Sequence, residues 1–261
     1  MVKLSIGIST VESNRDQAVK LSKEIVELDK KGFVDSVSIL SQFENSNSCE
    51  IITEKISLHR STSKGLSNSR NDLLDILDGD FFWLLDDDVV LNESLLHSIE
   101  AACQTNCDQD ILVGKIYCSD KGEYFKDYKS ERKGYRGVLS VSSIEMILKK
   151  DFLRSNGIKF NTSLGLGAKY PCGEENDFLI RCLNLGARIK FFDKVFVLHP
   201  SIASLGKSDY FSDKYQVRAK KIIAKSLPYK YRLLYMCKVY IYLVFFKKDL
   251  PLAYDLFNSD L

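Results

Sequence analysis

The sequence predicts an α/β domain, a mostly parallel central sheet flanked by helices, extended by a helical C-terminal appendage. Three observations carry this. Through the first two hundred residues, short near-continuous apolar runs alternate with stretches of 3.6-residue periodicity, the pattern of strands covered on both faces by crossover helices. After Pro200 that alternation is lost. The 261 residues are 45% hydrophobic and 28% charged, enough material for one large core with an appendage. The expected division is residues 1–200 for the body and 201–261 for a basic, aromatic extension.

Taken in order, "LSIGIST" (4–10) reads as a strand ending in small polar residues. In "RDQAVKLSKEIVELDKKG", Ala18, Leu21, Ile25 and Leu28 recur at helical spacing and Gly32 stops the pattern. "SVSIL" (36–40) and "KISLH" (55–59) are short strand candidates. "SNSRNDLLDIL" (67–77) is a helix with Leu73, Leu74 and Leu77 inward. "FFWLL" (81–85) is a buried strand that runs into Asp86, Asp87 and Asp88. "DILVGKIYC" and "GVLSVSS" read as further strands. Ser142 and Glu145 stand at capping-box spacing and predict a helix over "SSIEMILKKDFL". "EENDFLIRCLNLG" is a helix with Phe178 and Cys182 on one face and Gly186 as its stop. "KVFVLHP" closes the body with a strand ending in His199.

The net charge of +2 gives no reason to expect nucleic acid as a partner. The charge is uneven, however: residues 201–248 hold eleven Lys/Arg against two Asp. Lysines interleaved with Tyr, Phe and Leu over 206–248 fit either a basic amphipathic helix on an anionic membrane surface or a helix packed on the body with its lysines in water. Seven cysteines, an odd number without paired spacing, read as reduced thiols and not as a zinc site. The N-terminus lacks the apolar length of a secretory signal. The longest apolar run, 233–246, contains Lys238 and falls short of the ~20 residues that span a bilayer. The expected location is cytoplasmic, with peripheral contact at the inner face of the membrane.

In open α/β sheets, ligands collect at the carboxyl ends of the strands, which is where the three aspartates sit. Alternation along an extended chain sends Asp86 and Asp88 to one side and Asp87 to the other. Two carboxylates so close repel unless a cation lies between them, and hard divalent ions such as Mg²⁺ or Mn²⁺ share oxygen ligands with substrate phosphates. The bland alternative is a solvated acidic turn. A second cluster, "GEENDF" (173–178), opens a helix, where acids are also stabilised by the dipole alone. Trp83, within the apolar run, reads as core. His199, at a strand end, reads as a metal ligand or as a backbone-bonded structural histidine.

The ordered set "LSIGIST", "SKGLSNSRN", "FFWLLDDD", "GEENDFLIRCLNLGARI" and "VLH" resembles family 2 glycosyltransferases of GT-A, Rossmann-like fold over about residues 1–200. The resemblance implies a nucleotide-sugar-binding and catalytic domain. It assigns Asp86 and Asp88 to the metal and nucleotide-sugar motif, with Asp87 beside them and Asp88 as the direct ligand. His199 completes the metal or diphosphate site. Thr10 and Glu12 lie where the nucleotide is gripped, and Arg70 where a basic side chain approaches the donor. The second strand lacks the family's acidic end, so Gln42 or Glu44 takes that place. Glu174-Glu175 replaces the usual Glu-Asp pair, with Glu175 at the general-base position.

The implied reaction is metal-dependent, inverting transfer from a nucleoside-diphosphate sugar, a UDP-sugar by expectation, to a hydroxyl of a saccharide or lipid-linked saccharide, in surface polysaccharide synthesis. Two other readings fit parts of the sequence. A haloacid-dehalogenase-like phosphatase would use Asp86 as nucleophile and Asp88 as acid, although that motif normally sits on a first strand. A non-catalytic membrane-associated assembly protein would keep the fold without the chemistry.

Overall fold

The computed structural model describes residues 2–43, 46–126, 128, 131–200 and 214–258. The chain opens with strand β1 (Leu4–Val11) and helix α1 (Arg15–Leu28), followed by β2 (Val34–Gln42), β3 (Ser48–Thr53) and β4 (Ile56–Ser61). Helix α2 (Leu66–Ile76), β5 (Phe81–Asp86), α3 (Glu93–Thr105) and β6 (Ile111–Cys118) continue the alternation. Then come β7 (Glu123–Tyr124), α4 (Gly134–Val138), β8 (Met146–Lys149) and α5 (Lys150–Asn156). The body ends with α6 (Glu174–Asn184) and β9 (Ile189–His199), and α7 (Lys214–Ser226), α8 (Tyr229–Ile241) and α9 (Leu250–Asn258) follow.

One sheet runs β3-β4-β2-β1-β5-β8-β6-β7, with β9 on the other side of β6. The pairs β4–β2, β2–β1, β1–β5 and β6–β9 are parallel, and β8 is antiparallel to both β5 and β6. β1 is fully buried over Leu4–Thr10 and β5 over Phe81–Leu85. This is why β5 reads as an unbroken apolar run and why β1, whose Ser5 and Ser9 are buried too, carries no charged residue: neither has a solvent face. Their neighbours form two cores. Ala18, Leu21 and Ile25 of α1, with Leu96 and Ile99 of α3, cover one face of the sheet. Leu73 and Leu74 of α2, with Phe178 and Leu179 of α6, cover the other. Trp83 is fully buried and donates through Nε1 to Ile144 O at 2.8 Å.

Two predicted elements differ. "SSIEMILKKDFL" is not one helix. The capping box forms, with Ser142 and Glu145 satisfying each other's backbone, but it closes a single 3₁₀ turn over Ser143–Glu145. Met146–Leu148 then enter the sheet, because three consecutive apolar residues bury between β5 and β6 in a way no helix face there would allow. "GVLSVSS" is not a strand either. Gly137 and Val138 finish α4, and turns follow.

The C-terminal helices are seated on the body. Ile223 and Leu227 join the core beneath α6, while Val217, Val239, Leu243, Leu252, Ala253 and Leu256 form a smaller cluster of their own. No described helix is long and apolar enough to cross a membrane. Residues 201–213, the start of the predicted extension, and Glu44 lie outside the described residues.

Candidate active site

β5 ends at Asp86, and the next two aspartates occupy a turn. The three carboxylates reach three different partners, and the strand alternation expected to send Asp86 and Asp88 to one side stops at Asp86. Asp86 Oδ1 lies 3.5 Å from Arg70 Nη2. Asp87 accepts a short hydrogen bond from Thr10 Oγ1 at the end of β1. Asp88 Oδ1 lies 3.2 Å from His199 Nε2 at the end of β9. β9 is brought there by pairing along β6 and by a bridge between Val90 and Leu198.

Helix α6 begins at Gly173, whose φ of 88° suits glycine, and a Cβ there would stand 2.4 Å from Ile223 Cδ1 of α7. This tight start fixes the direction of Glu174 and Glu175. Both carboxylates lie 3.1 Å from one atom, Arg70 Nη1, while Arg70 Nη2 donates to Ser143 Oγ at 2.6 Å. Arg70 is only 2% exposed. Its burial opposes its charge, but Glu175, Asp86 and Glu174 outweigh that and keep it protonated. Arg70 is thus the hub that draws the strand-borne and helix-borne acids into one cleft. Its position comes from α2, which starts after Gly65 (φ 101°).

The electrostatics differ across the site. Burial, then the neighbouring Glu175 charge, push Glu174 up to about 7 despite Arg70. Burial raises Asp86, Arg70 opposes it, and the Asp88 and Glu175 charges add to the rise. Because 40% of the Asp86 side chain remains exposed, water screens much of that effect. Asp88 and His199 favour each other's charged form, lowering the carboxyl and raising the imidazole.

Asp88 Oδ1 is buried and, despite the short approach of His199, has no aligned hydrogen-bond donor. The Asp88 carboxylate is the kind of oxygen donor a hard divalent ion takes, and the 3.2 Å spacing would let His199 join it only as a neutral imidazole. Among the described residues no group of three His, Cys, Asp or Glu side chains converges as a ready metal set. Such ions ordinarily complete their shell with substrate phosphate and water.

Arg70, Asp86, Glu174, Glu175 and His199 line one cleft of about 460 Å³. Thr10, Glu12, Gln42, Asp87 and Asp88 do not line it; Thr10, Glu12 and Gln42 lie alongside at the ends of β1 and β2, and Asp88 reaches it only through His199. Glu12 accepts from Ser41 at 2.8 Å and from Arg15 at 2.9 Å, with Arg60 Nε at 3.9 Å. Gln42 donates to Ser69 Oγ and accepts from Gly65 N. Sequence reasoning missed Ser143, Lys126 and Lys220, which also line the cleft. Ser143 was hidden by the helix expected there, and Lys126 sits in an irregular segment anchored by the fully buried Glu145. Arg60, beside Glu12 and outside the cleft, did carry a usable signal: a basic residue at the carboxyl end of a parallel strand.

Nine strands of this order, with acids and a histidine converging at their carboxyl ends, define a GT-A glycosyltransferase fold. The chain is similar to the crystal structure of S. aureus TarS 1-349, with a TM-score of 0.66 and 16% identity over 95% of this chain and 73% of that one. It is similar to the TarS 1-349 complex with UDP-GlcNAc (TM-score 0.65, 18% identity, 93% and 73% covered). Against the longer S. aureus TarS structure the TM-score is 0.64 at 16% identity, covering 93% of this chain and 44% of that one. No curated protein matches the sequence. The family model described as glycosyl transferase family 2 matches residues 9–163, more than half of the chain, and the protein belongs to that family. Membership sets aside the phosphatase reading.

Proposed function

We propose that the protein is a metal-dependent, inverting glycosyltransferase that moves a sugar from a nucleoside-diphosphate sugar to a hydroxyl of a saccharide acceptor in surface polysaccharide synthesis. The observation that carries this is the junction at Arg70, which ties Asp86 and Glu175 into one cleft with His199. UDP is the proposed nucleotide, in keeping with the similar TarS structure held in complex with UDP-GlcNAc. Residues 1–200 form the proposed catalytic domain and 201–261 its extension, which also meets the membrane surface.

Thr10, Glu12 and Gln42 hold the nucleotide at the ends of β1 and β2. Asp88, Asp86 and His199 would hold Mg²⁺ or Mn²⁺, which would supply charge stabilisation for the departing diphosphate. Glu175 takes the proton of the acceptor hydroxyl as attack develops, an effect of ~10²–10⁴ in rate. Its side chain is 17% exposed, against 6% for Glu174, so it is the more accessible of the pair. Glu174 and Arg70 position it. A base across the cleft from the leaving group gives single displacement with inversion.

The test is a thermal-shift series of nucleoside diphosphates with and without Mn²⁺. UDP is expected to raise the Tm in a metal-dependent way, more than the other nucleotides do. Absence of metal-dependent stabilisation by every nucleotide would favour a non-catalytic scaffold.

A further inference from the structure

Beside the catalytic cleft lies a second space of about 740 Å³ between α4 and the helices α7 and α8, within the ~300–1,000 Å³ of ligand sites. Leu139, Ser140 and Lys220 line both spaces, so the groove continues the cleft. Two features set the groove apart. The first is an aromatic wall. Tyr135 and Tyr231 stand with ring centroids 4.9 Å apart and planes at 42°. Tyr135 is anchored: its hydroxyl donates to Asn184 Oδ1 of α6 at 2.7 Å, and Asn184 Nδ2 donates to Ser226 O of α7 at 2.8 Å. Tyr231 is exposed. The second feature is charge of one sign. Arg136 and Lys238 line the groove, exposed and with no ion pair among the described residues, and Lys220 lines it beside them. No carboxylate lines it among the described residues, whereas Asp86, Glu174 and Glu175 line the cleft.

We infer that the groove is a charge-reading subsite: it binds sugars remote from the reacting hydroxyl, on an oligosaccharide that carries carboxylate or phosphate substituents. The inference rests on the transferase reading of the adjoining cleft. A pyranose has an apolar C–H face and a rim of hydroxyls. An anchored tyrosine ring takes that face at little ordering cost, and hydroxyl groups at the margin take the rim. An aromatic wall alone would suit a neutral chain. The cations decide otherwise. Like charges gathered in a partly closed groove repel, and an anionic occupant relieves that repulsion. Arg136 offers a carboxylate or phosphate two parallel donors, and Lys238 offers a point charge. Opposite charge in the two spaces also sets the register. It draws the acidic part of the chain into the groove and leaves an uncharged sugar at Glu175. A single sugar at Glu175 forgoes the remote contacts, so the preferred acceptor is a chain.

The experiment measures binding without turnover, by calorimetry on the full chain in EDTA. The probes are tetragalacturonate and a hyaluronan tetrasaccharide, which carry carboxylates, and pentamannosyl phosphate. Each is paired with its neutral form, carboxyl-reduced or dephosphorylated. At least one acidic probe is expected to bind about tenfold tighter than its neutral form, and which one does so separates carboxylate from phosphate. The double variant Arg136→Gln/Lys238→Gln is expected to abolish that difference. Tyr231→Ala is expected to weaken acidic and neutral forms alike, by about tenfold. Both variants should keep the UDP affinity of the unaltered chain in Mn²⁺, which shows that they fold. The proposal is overturned if no acidic probe binds, if acidic and neutral forms bind equally, or if the preference survives in the double variant. Farnesol bound more tightly than every saccharide probe would overturn it as well, since a hydrocarbon is then the occupant. So would a stable dimer by light scattering that Tyr231→Glu splits, since a second copy then covers the groove. No UDP binding by the unaltered chain, with an acidic probe still bound, would strike the transferase reading instead, so the two failures are separable.

Discussion

The two acidic clusters of the cleft are built in opposite ways. The strand tip spreads three aspartates onto three elements: Asp86 to Arg70 of α2, Asp87 to Thr10 of β1 and Asp88 to His199 of β9. The helix start focuses two glutamates on one guanidinium nitrogen, each at 3.1 Å. A chain leaving a strand through a turn can aim successive side chains apart, whereas the first turn of a helix can hold neighbours against one partner. The difference teaches that the aspartates are each held by a different protein partner, while the glutamates and Arg70 stand or fall together.

The largest effect should come from breaking the focus. Arg70→Met leaves Glu174 without its buried cation, and removal of one member of a buried ion pair costs about 3–5 kcal/mol. Urea unfolding should show that loss, with Arg70→Lys recovering only part of it because an ammonium cannot reproduce the planar fork. Next, Glu175→Gln should cut transfer by ~10²–10⁴ while UDP binding persists; equal loss of both would refute its role as base. Gly173→Ala should rank third. The residue must hold φ of 88° and admit a Cβ 2.4 Å from Ile223 Cδ1. It should lower stability by roughly 1–3 kcal/mol and move both glutamates.

Smaller effects sharpen the contrast. Glu174 has its folded-state pKa raised from 4.5 to about 7. Its contribution to stability is therefore fully present below 4.5 and is lost as pH rises through about 7. Urea midpoints measured across that window should fall with pH, and Glu174→Gln should flatten the slope. At the strand tip, Asp87→Asn should cost only about 1 kcal/mol through its bond with Thr10, leaving metal dependence intact.

Much of this was legible in the sequence where one local rule decides the outcome. β5 announces itself as an unbroken apolar run and β1 as a run of apolar and small uncharged residues, because both are buried on both faces. α6 announces itself through Phe178 and Cys182 on one face and Gly186 (φ 85°) beyond its end. The capping box at Ser142–Glu145 was also real, yet it misled. A cap satisfies the first turn only, and burial of Met146–Leu148 in the sheet decided what came next. The partners of Arg70 were not legible at all. Asp86 lies 16 residues away, but Ser143, Glu174 and Glu175 lie 73, 104 and 105 away, and no local pattern reports which carboxylates a buried guanidinium will gather. For the same reason the groove between α4 and α8 left no trace in either segment read alone.

The central claim is that Asp88, paired with His199 at the edge of the cleft, would hold a divalent ion needed for donor binding, while Glu175 within the cleft serves only the acceptor. The direct measurement is the calorimetric affinity for UDP, with Mn²⁺ and with EDTA, of the unaltered chain, Asp88→Asn and Glu175→Gln. The account predicts metal-dependent binding in the unaltered chain and in Glu175→Gln, and its loss in Asp88→Asn. Binding that ignores Mn²⁺, or that survives in Asp88→Asn and fails in Glu175→Gln, would contradict it.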